Sequence, residues 1–464
     1  MQPYELSLTE AAEQIRSRQL SPVELVDSCL ARLDAVEPSI SAFATVTADR
    51  ARAAATAAER DIAGGDYRGP LHGIPVGIKD LYDVEGVPCT SSSRVRAGRV
   101  PTADSAVVER LRRAGMVLLG NTHTHEFAYG AITPTTRNPW NTDRIPGGSS
   151  GGSGAAVAAG VCTVAMGTDT AGSIRIPSAL CGTVGLKPTY GRVSRRGITP
   201  LSWSLDHAGP LTRDVSDAAL VLAATAGHDR ADPASLDVPV PDYLATLDHG
   251  IDGLRVGVPS NFYFDQVSPE VDRAVRAALA VLEGAGARLR EVTIPYADQI
   301  LSAEWAIMLP EASAYHQLTV RSSAELYQPD VRGLLEAGEL VLATDYIKAL
   351  RVRTLMQHAW ETMFQDIDIL VTPGMPVAAP LAGAETHQWP DGTTEDVTTM
   401  LVRLTSPTDL TGLPTLAIPV GSDADGMPLG MQITGRPFDE QTVLRAGQAY
   451  QTASDTVGQI ARVT

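Results

Sequence analysis

Apolar positions in the first seventy residues recur at helical spacing. Val23, Val26, Leu30 and Leu33 fall on one stripe of a helix. Ser21-Pro22-Val23-Glu24 ahead of them is a capping box with proline at the first helical position. Ser7-Leu8-Thr9-Glu10 is a second capping box. An alanine-rich run from Ala48 to Ala63 predicts a further helix, stopped by Gly64-Gly65. Residues 1–70 therefore read as a helical N-terminal segment.

From Gly73 the pattern changes. Ile74–Asp80 is a short apolar run suited to a buried strand, and it closes on the charged pair Lys79-Asp80. Helix and strand signals then alternate. A helix is expected over Ala106–Ala114 and a strand over Met116–Leu119. An alanine-rich helix leads into a buried strand over Val161–Met166, which ends in a turn of small residues. Leu201 to about Gly227 reads as a loop followed by a helix. Further strands are expected at Leu254–Val258, Arg288–Ile294, Ile367–Val371, Leu416–Val420 and Leu429–Thr434, with an amphipathic helix over Val271–Leu282. Residues 297–367 read as mostly helical. This alternation predicts an α/β fold, a mixed twisted sheet with helices on its faces. With no internal repeat and no linker-like stretch, residues 1–464 form one domain, in which 71–220 is the candidate catalytic core and 221–464 completes the sheet.

Composition narrows the setting. Hydrophobic residues at 44% and charged residues at 20% fit a soluble globular chain. A net charge of -17 with no acidic tail argues against nucleic acid or an anionic membrane as partner. No basic, apolar leader and no membrane-length apolar run is present. Cys29, Cys89, Cys162 and Cys181 form no C-x-x-C pair, so reduced buried thiols in a cytoplasmic protein are expected.

Two segments carry candidate chemistry. Pro146-Gly-Gly-Ser149-Ser150-Gly-Gly-Ser153-Gly154 could be a linker, a phosphate cradle, or a loop whose backbone runs close to a reacting group. A phosphate loop of the Walker type needs Gly-Lys-Ser/Thr at its end, which the chain lacks. Gly167-Thr-Asp169-Thr170-Ala171-Gly172-Ser173-Ile174-Arg175 follows a buried strand, and its small residues let consecutive N–H groups converge just before a serine. Such a turn can hold an oxyanion while the serine attacks a carbonyl. The serine needs a base. His72, His123, His125 and His207 lie near these segments, none in a nucleophile-elbow pattern. Lys79, ending a buried strand, can serve if burial lowers its pKa.

Taken together, Gly77-Ile-Lys79-Asp80, the glycine/serine loop and the Gly167–Arg175 turn resemble the amidase signature family, and the 24-residue interval between Ser149 and Ser173 matches it. The resemblance runs through most of the chain and implies the amidase signature fold. It implies Ser173 as nucleophile, Ser149 as a bridging serine in a cis peptide link, and Lys79 as base. It further implies an oxyanion hole from the N–H groups of Thr170, Ala171, Gly172 and Ser173, with Ser150, Asp169 and Arg175 supporting the loops. Ala171 stands where the family often has glycine. By the same resemblance, His125–Gly130 lines the acyl pocket through Ala128, Tyr129 and Gly130.

The family needs no metal or other cofactor, and its substrates are small-molecule amides, esters or carbamates. It includes both stand-alone amidases and the glutaminase component of a tRNA-dependent amidotransferase. The Asp345–Leu355 stretch is more like the stand-alone enzymes, since Arg351 and Arg353 give no clear match to the arginine that binds glutamine. A stand-alone amidase, monomeric or homodimeric, is the expectation.

Overall fold

The computed structural model describes residues 2–463, and within them thirteen strands form one large sheet and one small hairpin. The strands are β1 (Phe43–Val46), β2 (Pro75–Lys79), β3 (Val117–Thr122), β4 (Val164–Asp169), β5 (Val184–Lys187), β6 (His207–Thr212), β7 (Arg255–Pro259), β8 (Arg288–Val292), β9 (Ile369–Pro373), β10 (Thr386–Gln388), β11 (Thr394–Asp396), β12 (Thr415–Ser422) and β13 (Pro428–Gly435). The eleven-stranded sheet runs in the order β1-β3-β2-β4-β6-β5-β12-β13-β9-β7-β8, while β10 and β11 pair with each other. It is mixed: β2 is parallel to β3 and β4, and β7 to β8 and β9, whereas the centre is antiparallel. The expected α/β architecture is therefore present.

The N-terminal helices form where their caps predict. Ser21 accepts the N–H of Val23 at 2.9 Å, and Glu24 returns a bond to the Ser21 N–H at 2.9 Å, opening the helix Pro22–Ile40. Ser7 and Glu10 do the same for Leu8–Arg16. Ala48–Ala63 ends at Gly64 as expected. Residues 300–363 are largely helical, in Ile300–Ser323, Pro329–Gly338 and Ala343–Met363. Among the described residues no helix is long and apolar enough to cross a membrane.

Two expectations need correction, and some strands had none. The strand expected over Val161–Met166 lies at Val164–Asp169, because its pairing starts at Val76↔Val164 and continues to Asp169↔His207. Thr168 and Asp169 stay in the strand since both find buried partners, described below. Leu201–Gly227 is not simply a loop and a helix: β6 lies within it, between β4 and β5 in the middle of the sheet. Finally, β1, β5 and the β10–β11 hairpin carry no expectation from the sequence at all.

Candidate active site

Lys79 is the last residue of β2, which lies inside the sheet between β3 and β4, and its side chain is fully buried. Its Nζ lies 2.8 Å from Ser149 Oγ and 2.8 Å from Thr168 Oγ1. Burial pulls the amine well below the usual lysine range, and the carboxylates of Asp169 and Asp206 only partly oppose this. Burial at this position therefore favours the uncharged form of the amine.

The glycine/serine stretch is neither a linker nor a loop throughout, because the helix Gly151–Ala158 begins inside it. The preceding Gly148–Ser149 peptide is cis. The Ser149 carbonyl accepts bonds from Thr133 Oγ1 at 3.0 Å and from the His125 N–H at 3.1 Å, which fixes the loop against residues 125–133. Ser150 ties the loop to β4: its Oγ donates to the Thr168 carbonyl at 3.2 Å and accepts the Thr168 N–H at 3.3 Å. The Ser150 N–H donates to the Ser173 carbonyl at 3.2 Å, so main chain joins the two serine segments.

The turn after β4 is organised by Asp169. Its carboxylate accepts the N–H groups of Gly172 at 2.7 Å, Ile174 at 3.1 Å and Arg175 at 3.3 Å. Burial works against this charge, but the Arg175 guanidinium outweighs it and holds the carboxyl well below the usual range. Arg175 is itself fully buried. It bonds Asp169 through Nε at 3.0 Å and Nη2 at 2.9 Å, and also reaches Asp409, Thr405, Thr408 and Gln432. Gly172 has φ +130°, and a Cβ there would fall 2.2 Å from Thr405 Oγ1, so no other residue fits the turn unstrained. Among the described residues the N–H groups of Thr170, Ala171 and Ser173 have no acceptor, whereas that of Gly172 is committed to Asp169. Ser173 itself is 7% exposed, and its hydroxyl bonds no described residue.

Among the described residues no histidine ring bonds Lys79, Ser149 or Ser173. His125 bonds the Ile132 carbonyl and Asp330, His72 accepts the Arg68 N–H, and His123 sits 3.3 Å from Ser92 Oγ. His207 lies between the Asp169 carbonyl and Lys187, 3.2 Å from each. Burial lowers the Lys187 amine to about 8 and drives His207 well below its usual value. All four cysteines are buried and unpaired. Burial raises the thiols of Cys29, Cys89 and Cys162 to about 12 and pushes Cys181 up as well.

A cleft of about 770 Å³ borders this region, lined by Ala128, Thr168, Tyr190, Trp203, Asp206 and His207 among others, and not by Lys79, Ser149 or Ser173. Of the residues expected around the acyl pocket, only Ala128 borders it. Tyr129 is buried with its hydroxyl unpartnered, and Gly130 packs against the His125 ring. Phe127 and Ala128 both adopt the left-handed conformation, at φ 52° and 63°, which costs about 1–3 kcal/mol each and persists only where surroundings impose it. Thr168, Asp206, Thr405 and Asp409 carry no motif that marks them in the sequence. Thr168 stands inside the segment read as a turn. The others come from distant stretches that only the fold brings to Asp169, Thr170 and Arg175.

The amidase family model matches residues 24–444. The chain is 54% identical over 450 residues to an amidase of Pseudomonas putida, covering 97% of this chain and 96% of that protein. It is 42% identical over 480 residues to the A component of the glutamyl-tRNA(Gln) amidotransferase of Roseiflexus sp. strain RS-1, covering 97% of each. A bacterial aryl acylamidase of the amidase signature enzymes, 29% identical, superposes with a TM-score of 0.89 over 97% of this chain and 96% of that one. With a family model spanning nearly the whole chain and relatives matched end to end, this protein belongs to the amidase signature family of amide-bond hydrolases.

Proposed function

We propose that this chain is a stand-alone amidase that cleaves small-molecule amides through an acyl-enzyme on Ser173, with Lys79 acting as base through Ser149. The observation that carries the reading is Lys79: a fully buried amine, kept from charging by burial, 2.8 Å from a serine hydroxyl beside the nucleophile's turn. A neutral Nζ can donate one N–H to Thr168 and offer its lone pair to the Ser149 hydroxyl.

As Ser173 Oγ attacks the carbonyl carbon, its proton passes to Ser149 Oγ while the Ser149 proton passes to Lys79. The two hydroxyls close on each other as substrate arrives, as catalytic hydrogen bonds commonly do. The oxyanion is held by the N–H groups of Thr170, Ala171 and Ser173, a set of three because Asp169 occupies that of Gly172. When the tetrahedral species collapses, the Lys79 proton returns through Ser149 to the leaving nitrogen, and the C–N bond breaks. Water then attacks the acyl-enzyme by the same relay and releases the acid. Asp169 and Arg175 set the turn, and Ser150 sets its distance from β4.

The same route accepts ester and carbamate carbonyls, since each forms the same kind of tetrahedral oxyanion. The buried, unpaired cysteines support a reducing, cytoplasmic setting. A second reading, the glutaminase component of a tRNA-dependent amidotransferase, is favoured by the 42% identity to such a component, and the higher identity to an amidase ranks it second. The test is a hydrolysis screen of the purified protein alone, covering glutamine, aliphatic amides, anilides, esters and carbamates, with Ser173→Ala as blank. Turnover of non-glutamine amides, lost in the variant, supports the stand-alone reading. Hydrolysis of glutamine alone favours the amidotransferase component.

A further inference from the structure

Lys187 closes β5 and His207 opens β6, and these neighbouring strands bring the two side chains together in the interior. Lys187 Nζ donates to the Leu413 carbonyl at 2.7 Å and lies 3.2 Å from His207 Nε2. Among the described residues it forms no salt bridge, although a buried amine without a counter-charge is costly to desolvate. The relay from Ser173 through Ser149 to Lys79 uses neither residue.

The partners of the ring fix its tautomer. His207 Nδ1 lies 3.2 Å from the Asp169 carbonyl oxygen and 3.4 Å from Asp409 Oδ1. A carbonyl only accepts, so Nδ1 carries the proton that meets it. Burial drives the ring well below the usual histidine range and keeps it neutral. Nε2 is then a lone pair, and the donor facing it is Lys187. Tyr190 meets the ring edge-on, with centroids 5.5 Å apart and planes at 79°, which helps hold its orientation. Hydrogen bonds thus run one way, from the amine through the imidazole to the Asp169 carbonyl.

That carbonyl belongs to the same peptide unit as the Thr170 N–H. In a trans peptide the C=O and N–H share a plane and point opposite ways, and among the described residues only Gly148–Ser149 is cis. Holding the carbonyl therefore aims the Thr170 N–H away from His207. This N–H has no acceptor among the described residues and is one of the three oxyanion donors proposed above. The Thr170 side chain is tied separately, its Oγ1 donating to Asp206 at 2.7 Å, so the ring acts on the peptide alone. A hydrogen bond to an amide oxygen also polarises the amide and strengthens its N–H as a donor.

We propose that Lys187 and His207 are positioning residues for the oxyanion hole: the ring, steadied by the lysine, aims and polarises the Asp169–Thr170 peptide so that the Thr170 N–H meets the developing oxyanion. The proposal rests on the acyl-transfer reading above and adds to it two residues that bond neither nucleophile nor base.

The experiment uses p-nitrophenyl butyrate as substrate and propyl trifluoromethyl ketone as the probe, which adds to Ser173 and leaves an oxyanion in the hole. His207→Leu removes the donor to the carbonyl. It should lower kcat about ten- to a hundred-fold, less than outright loss of an oxyanion donor, with KM changed by less than about two-fold. The ketone should weaken by the same factor as kcat/KM. His207→Asn places an amide N–H at the Nδ1 position and should recover most of both. Lys187→Met leaves the ring in place and should shift both in the same direction, by about three- to ten-fold. Tm is measured for each variant, and if His207→Leu does not fold, Lys187→Met and His207→Asn carry the test. An unchanged ketone affinity in Lys187→Met, or a kcat as low in His207→Asn as in His207→Leu, would overturn the inference and leave Ser173 as the nucleophile. A ketone that inhibits wild type and binds Ser173→Ala equally well would contradict the acyl-transfer reading instead.

Discussion

The Asp169 carboxylate accepts the Gly172 N–H at 2.7 Å, while that of Ser173, one residue on, has no acceptor among the described residues. One carboxylate thereby sorts the N–H groups of the turn into those that hold its shape and those free to face an oxyanion. Gly172→Ala should disrupt this, since the methyl would meet Thr405 Oγ1 at 2.2 Å on a backbone with φ +130°. We expect kcat to fall about 10²–10³-fold, the scale of losing an oxyanion donor. Ala171→Gly keeps its N–H and should cost far less. Steady-state kinetics of the two variants side by side check this.

Lys79 predicts a distinct pH signature. Burial lowers its folded-state pKa, so the unfolded chain binds the proton more readily, and stability is lost as pH falls from the ordinary lysine range towards that lowered value. Lys79→Met removes this penalty. Its Tm should exceed wild type by a margin that widens on going from pH 9 to pH 6, while turnover is lost. Wild-type activity should rise with pH as the amine deprotonates. A margin that narrows towards pH 6 would contradict a buried neutral lysine.

Arg175 and Asp169 form a fully buried ion pair at 2.9 Å. Arg175→Met leaves Asp169 without its main counter-charge, and breaking a buried pair by one partner costs about 3–5 kcal/mol. Urea unfolding should report that loss together with a collapse of kcat. A variant as stable as wild type would show that the pair does not set the turn.

The thiols provide an inexpensive control. With Cys29, Cys89 and Cys162 raised to about 12 by burial, and Cys181 buried and raised too, iodoacetamide at pH 8 should leave both activity and intact mass unchanged. Dialysis against a chelator should likewise leave activity unchanged. Loss in either treatment would point to chemistry other than a serine–lysine relay.

The helices were legible where a local signal exists. Ser21 and Glu24 sit three residues apart and cap each other, so the start of Pro22–Ile40 is written in four residues. β6 was not legible, because it reads His-Ala-Gly-Pro-Leu-Thr and lacks the β-branched pattern of a strand. It needs small residues: a Cβ on Gly209 would lie 2.2 Å from the Leu186 carbonyl oxygen. The end of β4 was misplaced for a related reason. Thr168 and Asp169 look like turn residues until Lys79 and Arg175 are seen beside them.

The candidate site divides the same way. Lys79, Ser149 and Ser173 stand in short segments whose residue types and order carry the resemblance to the family. The roles around them depend on contacts no window of sequence contains. Thr405 and Asp409 reach the Gly172 turn and Arg175 from more than two hundred residues away. Trp203 borders the cleft on a loop that Glu311, on a distant helix, holds through Ser202 and Ser204.

In the proposed mechanism Ser173 carries the acyl group. The direct measurement is intact-mass and peptide mass spectrometry of the enzyme quenched during turnover of an activated aryl ester. An acyl adduct is expected on the peptide containing Ser173, absent in Ser173→Ala and formed far more slowly in Lys79→Ala. An adduct on Ser149 or Cys181, or one that forms at the wild-type rate without Lys79, would contradict it.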